Sequence, residues 1–248
     1  MANLVIDIGN TYTKIAVFKR DELLVYKQFE GIDDAVINAF FKEYAISKAI
    51  VSSVKKNESQ AWQTTLAAKV PVIFFNGKMA GELNNQYRTP DTLGADRLAG
   101  VMGAKTLFPQ KNNLVISGGT CITYDAVDAA GNYFGGSISP GLNMRYKALN
   151  YYTDGLPLVG ADESFDKQYG DNTVSAIRSG VQNGIKYELM GFIDSYKKAG
   201  EELNIVLSGG DSIFFDSLLK NSIFAPCVKI EPFLVLKGLN AALYINND

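Results

Sequence analysis

A pattern of three short strands occurs twice in the sequence, and this repeat constrains the fold more than any other feature. In each copy, apolar residues alternate along short segments that are separated by small or polar turn residues. The predicted strands are residues 4–8, 14–18 and 23–29 in the first copy, and residues 114–117, 121–127 and 133–139 in the second. The chain is therefore predicted to have two similar halves, each opening with a β-meander.

Helices and further short strands are predicted after each meander, because the apolar spacing changes from every second residue to every third or fourth. In the first half these are a helix at 33–44, a strand at 49–54, a helix at 59–69, a strand at 70–75, a loop at 79–93 and a helix at 96–107; in the second they are helices at 142–152, 172–196, 211–220 and 233–244 and a strand at 205–207. We expect an α/β protein of two lobes, residues 1–108 and 109–248, with a ligand-binding cleft between them.

Histidine is absent from all 248 residues. Its absence excludes serine–histidine and cysteine–histidine nucleophiles, imidazole acid–base catalysis and histidine-bound zinc. Proton transfer then has to use Asp, Glu, Lys, Tyr or Cys. The formal net charge of −2 gives no basic surface of the kind that binds nucleic acid or an anionic membrane, so neither is an expected partner.

The sequence has two cysteines, Cys121 and Cys227, which are too few for a disulfide framework and lack metal-site spacing. We interpret both as small apolar residues in a reducing compartment. No segment approaches the roughly 20 apolar residues that span a bilayer, and the N-terminus lacks the pattern of a secretory signal. A cytoplasmic location is expected.

The turn after the first strand has the residues of a phosphate site. Asp7 ends the strand, and the turn at Gly9 and Asn10 can present backbone N–H groups to phosphate. Thr11 adds a hydroxyl and Lys14 a positive charge. The segment lacks the glycine-rich loop and helix of P-loop and dinucleotide-binding motifs. The alternative is a β-hairpin whose turn Asp7 and Asn10 stabilise, with no ligand.

Two further glycine turns follow strands of the second half. Residues 118–120 are Gly-Gly-Thr, and residues 208–211 are Ser-Gly-Gly-Asp, directly before a predicted helix. Glycine turns and helix N-termini suit polyphosphate, because both allow a ligand to approach backbone N–H groups closely. One such turn is a weak signal, but three at strand ends of a repeated fold indicate a nucleotide site.

Four residues, Gly94, Ala95, Asp96 and Arg97, begin the helix that follows the long loop. Asp96 is the best candidate general base in a chain without histidine, and Arg97 could bind a carboxylate through two hydrogen bonds. The structural alternative is that Asp96 stabilises the helix N-terminus and Arg97 pairs with it.

The predicted helix at 172–196 contains Gly180 and Gly184, one turn apart, and each glycine costs up to about 1 kcal/mol in a helix interior. Two explanations remain open. The glycines are tolerated within ordinary core packing, or they allow close contact with another helix, including one from a second subunit.

Taken together, these segments resemble the type III pantothenate kinase family. The resemblance rests on residues 7–11, 87–97, 119–120, 135–141, 172–173 and 208–211, whose combined order and spacing match the family across nearly the whole chain. It implies the duplicated ribonuclease-H-like fold of the superfamily of acetate and sugar kinases, Hsp70 and actin. It also implies phosphoryl transfer from ATP to pantothenate, which gives 4′-phosphopantothenate and begins coenzyme A synthesis.

The resemblance implies roles for individual residues. Asp96 would be the general base, and Asp7 would lie near the Mg²⁺ that accompanies ATP. The family is dimeric, which implies a homodimer whose second subunit helps to close the pantothenate pocket. The residues implied to bind ATP are Asp7, Ile8, Gly9, Asn10, Thr11, Tyr12, Thr13, Lys14 and Thr120, and those implied to bind pantothenate are Tyr87, Gly94, Ala95, Asp96, Arg97 and Thr173.

One position departs from the family's pattern. Members commonly have an Asp that coordinates an activating K⁺ or NH₄⁺ where this chain has Ser117. A hydroxyl binds a hard cation more weakly than a carboxylate does, so we expect the chain either to need unusually high K⁺ or to respond little to it. Asp125 could substitute only if the local geometry differs from the family's.

Two other functions fit the same residues. The fold alone does not determine the acceptor, so another kinase or a phosphohydrolase of the same superfamily is one alternative. A regulatory or binding protein is the other, because Ser117 departs from the pattern of active members. The presence of both Asp7 and Asp96 argues against such a loss of catalysis.

Overall fold

The computed structural model describes residues 1–54, 61–197 and 202–245, which form two compact units. The first unit comprises Met1–Pro109, Gly131–Phe134 and Phe233–Asp248, and the second comprises Gln110–Ala130 and Gly135–Pro232. The C-terminal segment therefore belongs to the first unit, although it follows the second half in the sequence. The predicted lobe boundary between residues 108 and 109 stays a prediction.

The first unit is built on one five-stranded sheet. Its five strands are β1 (Ala2–Ile8), β2 (Thr13–Lys19), β3 (Glu22–Phe29), β4 (Ile46–Ser53) and β5 (Val72–Phe75). The two-residue strand β6 (Asn84–Asn85) follows along the chain and pairs in the other sheet. The helices in this part of the chain are α1 (Asp34–Glu43), α2 (Ala61–Ala67) and α3 (Ala95–Leu107). The sheet order is β3-β2-β1-β4-β5, with β2 antiparallel to its neighbours and β1, β4 and β5 parallel. The predicted meander is confirmed, and residues 59 and 60 of the second predicted helix lie outside the described residues.

The second unit repeats this arrangement. Its strands are β7 (Asn112–Gly118), β8 (Cys121–Val127), β9 (Asn132–Pro140), β10 (Leu203–Gly209) and β11 (Val228–Ile230). Its helices are α4 (Leu142–Tyr151), α5 (Thr173–Arg178), α6 (Gly184–Tyr196) and α7 (Ser212–Leu219). The last helix of the described residues, α8 (Leu234–Ile245), belongs to the first unit. The second sheet has six strands in the order β11-β10-β7-β8-β9-β6, and its first five correspond to β5-β4-β1-β2-β3 of the first sheet. The predicted duplication is therefore confirmed, and β11 is a strand that the sequence did not indicate.

Local structure differs from the prediction at two places. The predicted loop at 79–93 contains β6, which pairs in parallel with Asn132 and Tyr133, and a 3₁₀ turn at Pro90–Thr92. The predicted helix at 172–196 consists of α5 and α6 joined by a π-helical segment, Ser179–Asn183. A π segment widens the helix by one residue without interrupting it, so the apolar spacing alone does not reveal it.

One face of the first sheet packs against α1 and α2. Ile6 of β1 and Ile15 of β2 are fully buried there, together with Phe40 of α1 and Trp62 of α2. Burying side chains of this size stabilises the fold by about 1.5–3 kcal/mol each. Because side chains alternate along a strand, Asp7 lies on the opposite face of the sheet.

The opposite face is covered by α8, which also packs along α3. Glycines permit this close packing, since a Cβ on Gly238 would collide with the carbonyl of Ala99. Asn240 of α8 accepts a hydrogen bond of 2.9 Å from the side-chain amide of Asn3 in β1. Asn3 and Asp7 share a face, so this contact fixes the helix pair on the side of the sheet that carries Asp7.

The second sheet has its own apolar core. Ile116 of β7 and Tyr124 of β8 are fully buried against Leu189 of α6 and Phe215 of α7. Among residues 1–54, 61–197 and 202–245, no helix combines the length and the apolar character that a membrane span requires.

Candidate functional site

The carboxyl end of β1 places Asp7 beside Lys14 of β2 and Ser52 of β4, its register partners. Register partners on adjacent strands point to the same face, so the three side chains form a row. Asp7 is 5% exposed, and its Oδ1 has no hydrogen-bond partner among the described residues. A buried polar atom without a partner costs roughly 1–3 kcal/mol, which indicates a site built for a ligand at the expense of stability.

Three charges converge on this strand end within the first unit. Burial raises the pKa of Asp7 to about 6, the Lys14 ammonium opposes that rise, and the Asp96 carboxylate adds to it. Asp96, in the first turn of α3, thus acts electrostatically on Asp7. Two carboxylates beside an ammonium group can hold a divalent cation with its phosphate ligands and can accept a proton.

The turn between β1 and β2 is closed by a hydrogen bond of 3.0 Å from the Gly9 N–H to the Tyr12 carbonyl. Asn10, Thr11 and Tyr12 are exposed on this turn, whereas Ile8 and Thr13 are buried at its two ends. The structure thus brings residues 7–14 together in one strand–turn–strand, with the polar residues of the turn open to solvent.

The N-terminus of α3 is arranged around the Asp96 carboxylate. Asp96 Oδ1 accepts a hydrogen bond of 3.0 Å from the Arg97 N–H. Gly94 precedes the helix, and a Cβ at that position would lie 2.6 Å from the same oxygen. Only glycine therefore leaves room for this carboxylate position. The two interpretations of Asp96 are compatible, because it bonds the helix N-terminus and also interacts electrostatically with Asp7.

Aromatic rings hold Arg97 in place. Arg97 is 7% exposed, and its guanidinium carbon lies 5.7 Å from the centroid of the Tyr87 ring. Tyr87 is stacked in turn on Tyr133, with centroids 6.5 Å apart and ring planes 8° from parallel. A guanidinium held against an aromatic face keeps a planar edge with which it can bind a carboxylate. Sequence reasoning missed Tyr133, since its position depends on the pairing of β6 with β9.

The two glycine turns of the second unit meet at the ends of β7 and β10. Gly209 has a φ of +80° and pairs with Gly118, whose carbonyl a Cβ on Gly209 would strike. The Asp211 N–H donates a hydrogen bond of 3.3 Å to the Gly118 carbonyl. Thr120 is exposed on the first of these turns. This junction exposes backbone that a nucleotide can approach closely.

Ser117, the predicted cation position, is half-buried between Ser208 of β10 and Thr123 of β8. The row therefore consists of three hydroxyls and contains no carboxylate. Asp125 pairs with Val115, two residues further from the turn than Ser117, and it already has an interaction partner.

Thr173 is the first residue of α5, which begins with a capping box. The Asn172 side chain accepts a hydrogen bond of 3.0 Å from the Ser175 N–H, and the Ser175 hydroxyl accepts one of 3.1 Å from the Asn172 N–H. Such a cap fixes the position of the first helical residues. The helix start at Thr173 is thus rigidly defined.

The loop before α5 is tied to the π segment by Gln182, which sequence reasoning missed. Its Oε1 accepts hydrogen bonds from the Tyr146 hydroxyl (2.9 Å) and the Asp162 N–H (3.0 Å), and its Nε2 donates to the Asp162 carbonyl (2.9 Å). A buried amide with these bonds restrains the loop that leads to Thr173.

Gly180 and Gly184 do not form a tight contact within the chain. A Cβ on either residue would meet no atom of a neighbouring element within 4 Å among the described residues. Tyr187 of the same helix is 58% exposed. Among the described residues, neither glycine is required for close contact with another helix of this chain, and both explanations, tolerated glycines and contact with a second subunit, stay open.

Within the described ranges, no group of three or more Cys, Asp or Glu side chains could hold a metal ion by itself. The fit to Mg²⁺ rests instead on Asp7, whose unpaired oxygen is a hard donor of the kind that Mg²⁺ prefers. Nucleotide phosphates and water would complete the coordination.

Comparison with known proteins gives concordant results. The sequence profile of the type III pantothenate kinase family matches residues 3–195. A type III pantothenate kinase from Bacteroides fragilis strain YCH46 is 44% identical over 247 residues, which cover 99% of this chain and 98% of the relative.

Solved structures agree on the fold. The activator of 2-hydroxyisocaproyl-CoA dehydratase from Clostridium difficile, solved with bound ADPNP, has a TM-score of 0.56 at 12% identity and covers 99% of this chain and 94% of its own. A ROK hexokinase from Thermus thermophilus has a TM-score of 0.52 at 13% identity and covers 98% of both chains. These likenesses show the duplicated ribonuclease-H-like fold alone.

Proposed function

This chain belongs to the type III pantothenate kinase family, and we propose that it transfers the γ-phosphoryl group of ATP to pantothenate. The products are ADP and 4′-phosphopantothenate, and the reaction is the first step of coenzyme A biosynthesis. The observation that carries the proposal is the buried Asp7 carboxylate beside Lys14 at the end of β1, whose Oδ1 has no hydrogen-bond partner among the described residues. No histidine or covalent phosphoenzyme is needed.

ATP binds to residues 7–14 and Thr120 in this account. The Asp7 carboxylate would hold the Mg²⁺ that accompanies the nucleotide, and Lys14 and the turn N–H groups would bind phosphate oxygens. When bound, Mg²⁺ neutralises part of the negative charge on the phosphates. The unpaired Oδ1 of Asp7 supports this assignment.

Asp96 is the general base. Its carboxylate accepts the proton of the pantothenate hydroxyl as that oxygen bonds to the γ-phosphorus and the bond from phosphorus to ADP breaks. The hydrogen bond from the Arg97 N–H orients the carboxylate for this step.

Pantothenate binds through its carboxylate to Arg97, whose guanidinium is held against Tyr87. Gly94 and Ala95 of the helix start and Thr173 complete the acceptor site in this account. The contact with the Tyr87 ring supports the assignment, because it holds the guanidinium in a fixed orientation.

We also propose a cytoplasmic homodimer in which a second copy meets the helix face that carries exposed Gly180 and Tyr187 and half-buried Gly184. A monovalent cation, K⁺ or NH₄⁺, would bind weakly near Ser117. Light scattering of the purified protein tests the dimer, since a mass near 27 kDa would exclude it.

A single assay tests the function. Purified protein is incubated with ATP, Mg²⁺ and pantothenate, and phosphopantothenate is measured by mass spectrometry. Phosphopantothenate formation is expected. ADP release with another alcohol but not with pantothenate would indicate a different kinase, and nucleotide binding without turnover would indicate a regulatory protein.

A further inference from the structure

Three side-chain oxygens are buried without a hydrogen-bond partner among the described residues: Asp7 Oδ1, Ser52 Oγ and Ser208 Oγ. All three belong to strand ends at the center of a sheet. Asp7 and Ser52 are register partners on β1 and β4, and Ser208 occupies the position in β10 that Ser52 occupies in β4. Unpaired buried oxygens are rare in folded proteins, so their coincidence at one kind of position calls for a physical reason.

Ser52 is fully buried and lies on the same sheet face as Asp7. A serine hydroxyl can donate one hydrogen bond and accept two, yet Ser52 makes none within the described residues. Alanine would fill almost the same space without the cost of burying an unpaired hydroxyl. A serine here is therefore explained by a ligand that enters beside Asp7.

We propose that Ser52 belongs to the divalent-metal site: its hydroxyl, beside the Asp7 carboxylate, binds the hydrated cation that enters with the nucleotide. This inference rests on the proposed function, which places Mg²⁺ at Asp7. Mg²⁺ usually keeps several water ligands and uses only one or two protein carboxylates. A neutral hydroxyl can orient one of those waters without adding a second negative charge next to Asp7.

Ser208 provides the matched control. It is 1% exposed and its Oγ is also unpaired, but its register partner is Ser117, so the adjacent residue carries no charge. Without a carboxylate, this pair has little affinity for a divalent cation. Replacing Ser208 should therefore test the effect of a lost buried hydroxyl alone.

The experiment is a Mn²⁺ titration followed by electron paramagnetic resonance, in the presence of a saturating non-hydrolysable ATP analogue. For Ser52→Ala we expect the Mn²⁺ dissociation constant to rise by about tenfold, the lower range for loss of a residue that supports a metal ligand. Ser208→Ala should bind Mn²⁺ like the natural protein. Neither variant should unfold at lower denaturant concentration, because each removes an unpaired buried group.

Unchanged Mn²⁺ affinity in Ser52→Ala would overturn the inference, as would equal losses in Ser52→Ala and Ser208→Ala. Ser52→Cys is a second variant, which keeps the size of the side chain but weakens its hydrogen bond. It should show the same loss of Mn²⁺ affinity and can replace the alanine variant if that variant folds poorly. Absence of any Mn²⁺–analogue complex in the natural protein would instead contradict the proposed function itself, and the two failures are thus distinguishable.

Discussion

The two units have the same strand order but differ in charge at equivalent strand ends. The central strand of each sheet ends beside an antiparallel and a parallel neighbour, and the same register positions can be compared in both. The residues are Asp7, Lys14 and Ser52 in the first unit and Ser117, Thr123 and Ser208 in the second.

The five corresponding strands thus have the same order in both units, but the side chains at their ends differ in charge. The strand end of the first unit has the Asp7 carboxylate and the Lys14 ammonium group, and Asp96 acts electrostatically on Asp7. These charges suit binding of a metal ion and phosphate. The second end has only hydroxyls in the compared row and two adjoining glycine turns, which allow a nucleotide to approach the backbone closely.

The largest effect is expected for Asp96→Asn, which keeps the size of the residue but removes the proton acceptor. We predict that kcat falls by about 10²–10⁴-fold, the usual contribution of a general base, while folding and nucleotide affinity stay nearly unchanged. Asp21→Asn, an exposed residue on the turn between β2 and β3, is the control and should retain most of the kcat. Near-normal turnover of Asp96→Asn would remove its assigned role.

Asp7→Asn should weaken metal binding but stabilise the protein without ligand. The pKa of Asp7 is about 6 in the folded protein, above its ordinary value, so ionised Asp7 opposes folding. Above pH 6 the ionised Asp7 lowers the free energy of unfolding by about 3 kcal/mol, which raises the unfolding equilibrium constant on the order of 10²-fold. As the pH falls from 6 to 4, the folded state binds the proton first and regains this stability.

Urea unfolding at pH 8 and pH 4 measures the effect. The Asp7→Asn variant should be about 1–3 kcal/mol more stable than the natural protein at pH 8, and the difference should shrink towards pH 4. Asp125→Asn is the matched control, because Asp125 is equally buried but has an interaction partner, and it should be destabilising. A less stable Asp7→Asn variant at pH 8 would contradict the unpaired-carboxylate account.

Arg97→Lys should raise the KM for pantothenate by about tenfold and leave the KM for ATP nearly unchanged. An ammonium group cannot form the two parallel hydrogen bonds of a guanidinium, and it would lose the planar contact with Tyr87. Steady-state kinetics with each substrate varied in turn measure the effect. Equal losses for both substrates would indicate that Arg97 is structural.

Ser117→Asp should give the second strand end the carboxylate that the first one has. We expect the K⁺ concentration for half-maximal activity to fall a few-fold, because a carboxylate binds a hard cation better than a hydroxyl does. Activity is titrated with KCl against a choline chloride control. Tight K⁺ activation of the natural protein, unchanged in Ser117→Asp, would show that another group binds the ion.

Strand and helix positions could be predicted because they depend on local spacing. The meander around Asp7 and the helix beginning near Asp96 follow from apolar periodicity and turn residues. The pairing of Asp7 with Ser52 could not be predicted, because it depends on which strands are neighbours in the sheet. The position of Ser52 in the sequence carries no signal of its own.

The contacts that hold Arg97 and the loop before Thr173 could not be predicted from the sequence either. Tyr133 reaches Tyr87 through the pairing of β6 with β9, and Gln182 reaches Asp162 through a π segment. Both depend on long-range packing between segments with no shared periodicity. The candidate reactive side chains could therefore be predicted from the sequence, whereas the residues that hold the site in position could not.

The most direct test of the asymmetry is the factor by which Mg²⁺ strengthens binding of a non-hydrolysable ATP analogue. Calorimetry with and without Mg²⁺ gives this coupling for the natural protein, Asp7→Asn and Ser117→Ala. We predict that the factor falls close to one in Asp7→Asn and is unchanged in Ser117→Ala. Full Mg²⁺ coupling in Asp7→Asn, or its loss in Ser117→Ala alone, would contradict the assignment of the metal to the charged strand end.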